Sequence, residues 1–89
     1  MTVSVDHNYP HVNAMLARYN NGEPIPNATV KVYAHTDFYD DGVTVPVAET
    51  TTDSEGEWQD TISLEDGRTW VIAIQKNTSY GPCRWEVTT

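Results

Sequence analysis

His7 and His11 are spaced i, i+4, which on a helix would place two zinc ligands on one face. Pro10 stands between them and breaks the helix that gives the spacing its meaning. Both are therefore expected as solvent-exposed residues of an N-terminal segment. His35, Asp37, Asp40 and Asp41 form a second cluster. Hard oxygen ligands this close together suit calcium, but the spaced ligand ladder of an EF-hand is missing, and a long polar loop between two strands accounts for them. Cys83 alternates with Trp85 and Val87, the phase of a buried packing thiol and not of a nucleophile. No serine stands in a Gly-x-Ser-x-Gly turn, and so short a sandwich leaves little room for a cleft around paired carboxylates. The expectation is a protein that is not an enzyme, with no catalytic residue, no metal and no cofactor. Asn27-Ala28-Thr29 and Asn77-Thr78-Ser79 match the glycosylation pattern and are taken as coincidence, since no export signal is visible.

The elements that would carry these residues read as short strands between turns. Ala28, Val30, Val32 and Ala34 share one face of a strictly alternating run. Val43, Val45 and Val47 alternate likewise, and Pro46 assigns that run to a sheet edge because it cannot donate to a ladder. Trp58, Ile62 and Leu64 share a face. The run from Thr69 to Gln75 is apolar on both faces, as a central strand is. Asn13–Arg18 is short and followed by Asn20-Asn21-Gly22, so a strand is expected there and not a helix. Asn21-Gly22, Asp41-Gly42, Glu55-Gly56 and Asp66-Gly67 each supply a residue that accepts positive φ. The fold expected is all-β, an antiparallel sandwich of about seven strands, with Val30, Val32, Ile62, Trp70, Ile72, Ile74, Trp85 and Val87 in its core.

Length and charge bound the rest. A chain of 89 residues with 38% hydrophobic residues holds one thin core. One cysteine rules out an intrachain disulfide, so three Trp and five Tyr must supply much of the buried area. No apolar run is long enough to span a membrane as a helix. Acids outnumber bases 13 to 5, for a net charge of -8. No Lys/Arg cluster is present either, so nucleic acid and anionic membranes are not expected as partners. Ten acids and no Lys or Arg lie between Asp37 and Asp66. A solvated acidic face is the plain consequence, and a basic partner the sharper one. The opening Met1–Asp6 lacks the basic and apolar regions of a secretory signal, so the chain is expected to be used without export unless such a signal has been removed.

The segment from Gly22 to Tyr33, Gly-Glu-Pro-Ile-Pro-Asn-Ala-Thr-Val-Lys-Val-Tyr, resembles the "G-x-P-[IV]-x-x-A-x-V-x-V" opening of immunoglobulin-like and transthyretin-like (prealbumin-like) sandwich domains. Carboxypeptidase-regulatory-like and invasin-type Ig-like domains share it. Both continue with a turn matched by Thr51-Thr52-Asp53-Ser54-Glu55-Gly56, then by Leu64-Glu65-Asp66-Gly67 and the strand led by Trp70. The resemblance spans about residues 13–88 and implies a Greek-key topology. Physically, Pro24 and Pro26 stiffen a crossover and Ala28 is small enough to enter against the opposite sheet. Asp53 can bond its own backbone, and Gly56 can end the turn in the left-handed region. Some relatives carry a Lys–Asn cross-link. Lys31 lies in the outward phase and no acid stands near Ile74, so none is expected.

Residues 1–11 are expected as an arm or a first strand, and 12–89 as the single sandwich. Two functions fit. One is a cell-surface adhesion or carbohydrate-binding module, for which Tyr19, Tyr33, Phe38, Tyr39 and Tyr80 are candidate aromatic platforms. The other, favoured by a lone domain without signal or disulfide, resembles the small accessory proteins of bacteriophage particles. On that reading the chain is a capsid decoration or cement protein of the virion, assembled in the host cytoplasm. Its partners are capsid or tail proteins, and it acts as a homo-oligomer or bound to a particle. Val3, Val5, Tyr9, Phe38 and Tyr39 are the expected partner-binding residues, with the arm adding as a strand to an exposed sheet edge.

Overall fold

The computed structural model describes residues 1–19, 21–35, 46–76 and 80–89, and among these it is all-β. Its strands are β1 (Thr2–Val5), β2 (Thr29–Ala34), β3 (Ala48–Thr51), β4 (Ile62–Glu65), β5 (Thr69–Lys76) and β6 (Tyr80–Thr88). They form two antiparallel sheets, one of β1 and β4, the other in the order β3-β2-β5-β6. Six strands are thus described where about seven are expected. One expected run, Val43–Val47, lies outside the described residues up to Val45; Val47 is exposed, and the edge expected of that run is taken by the next residues, β3.

Alternation explains the large sheet. Val30 and Val32 of β2 point to the core beside Ile74 and Ile72 of β5, their register partners, and Ala34 beside Trp70. β5 lies between β2 and β6, and Val71 on its other face is also fully buried, which is why its sequence is apolar on both faces. β6 continues the rows, with Cys83 opposite Ile74, Trp85 opposite Ile72 and Val87 opposite Trp70. Val87 is buried. Trp85 and Cys83 are only half-buried: β6 is the last strand of its sheet, and no further strand among the described residues covers their flank. Trp85 therefore packs against the core's margin and not inside it as expected.

The small sheet completes the same core. Val5 faces Ile62 and Val3 faces Leu64 across β1 and β4, and Val5, Ile62 and Leu64 join the cluster that holds Val30, Val32, Ile72 and Ile74. Residues 1–11 are therefore no free arm: Thr2–Val5 is a strand paired within the chain, because burying Val5 requires it. Asp66-Gly67 carries the chain from this sheet to the other one, with Gly67 at φ 72°.

The expected strand at Asn13–Arg18 does not form; only an isolated bridge between Arg18 and Pro24 does. Asn13 has φ 60°, which breaks an extended path. Met15 and Ala17 are buried in alternation all the same, but their N–H groups donate to the carbonyls of His7 (2.9 Å) and Gly56 (3.1 Å) instead of to a strand.

Candidate functional site

Of the polar residues singled out in the sequence, Asp53 and His7 fasten loops. Asp53 Oδ1 accepts from the N–H groups of Glu55 (2.9 Å) and Glu57 (3.1 Å), and Gly56 turns at φ 76°. Asp53 and Gly56 thus do what their types suggest. Thr52, fully buried next to them, donates through Oγ1 to the Ile25 carbonyl (2.7 Å) and accepts from the Ala28 N–H (2.9 Å). It ties the crossover before β2 to the end of β3. Sequence reading passed over this threonine; its place in the Thr51-Thr52-Asp53 turn was the available signal. Thr52→Val keeps the shape and removes both partners, so it is expected to cost about 2–3 kcal/mol in denaturant unfolding. A cost below about 0.5 kcal/mol would contradict this use of the hydroxyl.

His7 corrects an expectation. It is buried, not exposed, because the chain after β1 passes beneath the loop that follows β3. Its Nδ1 accepts from the Trp58 N–H at 3.2 Å, and its Nε2 lies 3.5 Å from a Glu57 carboxylate oxygen. The Trp58 indole N–H donates to the Met15 carbonyl at 3.2 Å, closing the same joint. His11 is exposed, with Nδ1 3.2 Å from the carbonyl oxygen of Val12. The two rings do different work and do not converge. His35 lies with Nε2 3.7 Å from a Glu86 carboxylate oxygen, and Asp37, Asp40 and Asp41 lie outside the described residues.

The expected contact residues separate in the same way. Val5 is 0% exposed, so with β1 in place its side chain cannot meet a partner. Val3 and Tyr9 are half-buried against the core. Phe38 and Tyr39 lie outside the described residues. Among the candidate platforms, Tyr33 is buried and Tyr19 packs against the core.

The described residues do expose main chain. The N–H of Thr89 donates to the carbonyl of Arg68 at 2.9 Å, one step beyond the Thr69–Thr88 pair. In an antiparallel ladder that makes Thr69–Thr88 a pair without mutual bonds, and parity then alternates along β6. The main-chain groups of Cys83, Trp85 and Val87 face β5, while those of Arg84, Glu86 and Thr88 face away from it. Tyr9 agrees with this assignment: its hydroxyl donates to the outward Thr88 carbonyl at 3.2 Å. Beyond Tyr9, no strand among the described residues pairs with this edge.

Comparison of the chain with protein-family models, with curated proteins and with solved structures finds no match in any of the three. β6 spans nine residues, against four each for the outer strand β3 and for β1 and β4. β3 is also capped, since its Thr51 carbonyl accepts from the Gln59 N–H at 2.9 Å. At the far end of β6, Thr89 Oγ1 donates to the Glu65 carbonyl at 2.6 Å and lies 3.3 Å from the Trp70 indole nitrogen. Among the described residues the edge is long, meets no further strand and is fastened at its end. Such an edge is a template for another strand.

Proposed function

We propose that this chain is a structural interaction protein that binds other protein chains by strand addition along the outer edge of β6. The observation that carries the reading is a long edge that no further described strand covers, beside polar side chains already committed to holding the fold. Asp53, Thr52 and His7 each bond main-chain groups of neighbouring loops. The outward N–H and carbonyl groups of Glu86 offer a partner main-chain bonds, and the half-buried Trp85 offers it apolar area. As its setting we propose the virion: an accessory protein of capsid or tail, assembled in the host cytoplasm, on an Ig-like Greek-key sandwich. The turn at Asp53–Gly56 and the Pro24-to-Tyr33 entry into β2 support that class.

Glu86→Pro tests the reading. The Glu86 N–H faces away from β5, so proline there removes no ladder bond and is tolerated as at other strand edges. It does abolish the outward donor. Particles sedimented from cells that make them are expected to carry the wild-type chain and to lose the Glu86→Pro chain, with both purified proteins equally folded by circular dichroism. A wild-type chain that stays wholly in the soluble fraction contradicts the virion setting. Equal retention of both chains on particles contradicts the use of the β6 edge.

A further inference from the structure

One buried main-chain donor of this fold is held by a side chain that can change its charge. In the antiparallel bridge between Thr52 and Trp58, the flanking residues make the ladder bonds. The Gln59 N–H donates to the Thr51 carbonyl at 2.9 Å, and the Asp53 N–H to the Glu57 carbonyl at 2.8 Å. The Trp58 N–H therefore points out of that pair. What accepts it is Nδ1 of the buried His7, at 3.2 Å. An imidazole nitrogen accepts only while it carries no proton, so this bond requires a neutral ring with its hydrogen on Nε2, the nitrogen 3.5 Å from Glu57.

The same ring secures more than one donor. The His7 carbonyl accepts from the Met15 N–H at 2.9 Å, and the Met15 carbonyl accepts from the Trp58 indole N–H at 3.2 Å. His7, Met15 and Trp58 thus close a cycle of three hydrogen bonds that ties the segment after β1 to the loop after β3. All three are buried, and none belongs to a strand of the four-stranded sheet.

A proton on Nδ1 turns the acceptor into a donor aimed at another donor, and it strips a buried N–H of its partner. Glu57 is the charged group set against the ring. The other nearby acids of the two segments serve their own turns: Asp6 accepts from the Asn8 N–H at 2.8 Å, and Asp53 from the N–H groups of Glu55 and Glu57. From the third segment, Met15, Leu16 and Ala17 bring no charge. Glu57 favours a charged ring, but its side chain is 49% exposed. An ion pair with Glu57 survives when the ring swings out to water, whereas the Trp58 bond exists only with the ring inside. Glu57 therefore draws a protonated ring outward and does not hold it in place.

We infer that His7 is a proton-operated latch, whose protonation releases the segment after β1 from the loop after β3 while the four-stranded sheet stays closed. Because the closed joint needs the neutral ring, it is whole in neutral solution and opens as the pH falls below about 6. The latch does not depend on the use of β6.

Amide exchange at pH 7.5 and at pH 5, each rate taken relative to an unstructured peptide at the same pH, tests it. The Trp58 and Met15 amides are expected to lose roughly tenfold or more in protection at the lower pH, while Val32 and Ile72 of the large sheet keep theirs. In His7→Asn, Oδ1 takes the place of Nδ1 and accepts at every pH, so Trp58 and Met15 should be equally protected at both. A second measurement needs no variant. NMR of the His7 ring nitrogens should show Nδ1 unprotonated at pH 7.5, with its protonation running parallel to the loss at Trp58. Trp58 protection unchanged at pH 5, an equal loss in a folded His7→Asn, or a ring that takes up its proton while Trp58 stays protected overturns the inference. If His7→Asn does not fold, the ring titration of the wild type decides alone.

Discussion

Gly56→Ala is expected to destabilise the domain by about 3–4 kcal/mol. Gly56 turns at φ 76°, where an L side chain is strained, and a Cβ there would run into the carbonyl oxygen of Ala17. The backbones touch because Gly56 both accepts from the Ala17 N–H at 3.1 Å and donates to the Asp53 carbonyl at 3.1 Å. Ala17 in turn accepts from Ile25 at 3.0 Å, so a displaced Gly56 loosens three segments at once. Backbone strain contributes roughly 1–2 kcal/mol and the lost bonds about as much again. At the usual sensitivity of a domain this size, the melting temperature should fall by roughly 12 °C or more. Gly22→Ala and Gly67→Ala are the controls. Both sit at positive φ with open space around the position a Cβ would take, so each should lose only the strain term. Equal losses at all three glycines would mean that the approach of Ala17 to Gly56 contributes nothing.

Ile72→Ala follows, at about 3–4 kcal/mol in denaturant unfolding. Ile72 is fully buried, lies on the central strand, and faces Val32 on one side and Trp85 on the other. Neighbours on both flanking strands hold the cavity open, so the site cannot collapse as a loop would. A loss below about 1 kcal/mol would mean that β5 presents its other face to the core.

Local chemistry made these two positions readable in the sequence. Period-two alternation is written into β2, β5 and β6 residue by residue, and it placed Val30, Val32, Ile72, Ile74 and Val87 correctly. Turn chemistry is equally local, and it identified Asp53 and Gly56. Where pattern and partner come apart, the sequence is silent. Met15 and Ala17 alternate as a strand would, yet their hydrogen bonds go to His7 and Gly56, which no local pattern announces. His7 reads as exposed because its neighbours are polar, and it is buried because Trp58, distant in sequence, supplies it a donor. β1 reads as an arm for the same reason: its partner β4 lies at the far side of the chain.

The candidate site was the least legible part. Whether a strand lies at the edge of its sheet depends on which strands pair, not on its own residues. Trp85 alternates like a core residue and is one on its inner flank. Only the sheet order shows that no described strand lies on its other flank.

Amide hydrogen exchange along β6, followed residue by residue in the dilute and the assembled protein, tests the use of this edge most directly. In the dilute chain Trp85 and Val87 should be protected by β5 while Glu86 between them exchanges quickly, an alternation that reports the ladder parity. On assembly the Glu86 amide should become protected, and protection should run without gaps from Trp85 to Val87. A Glu86 amide that exchanges as fast in the assembled protein as in the dilute one would contradict the account.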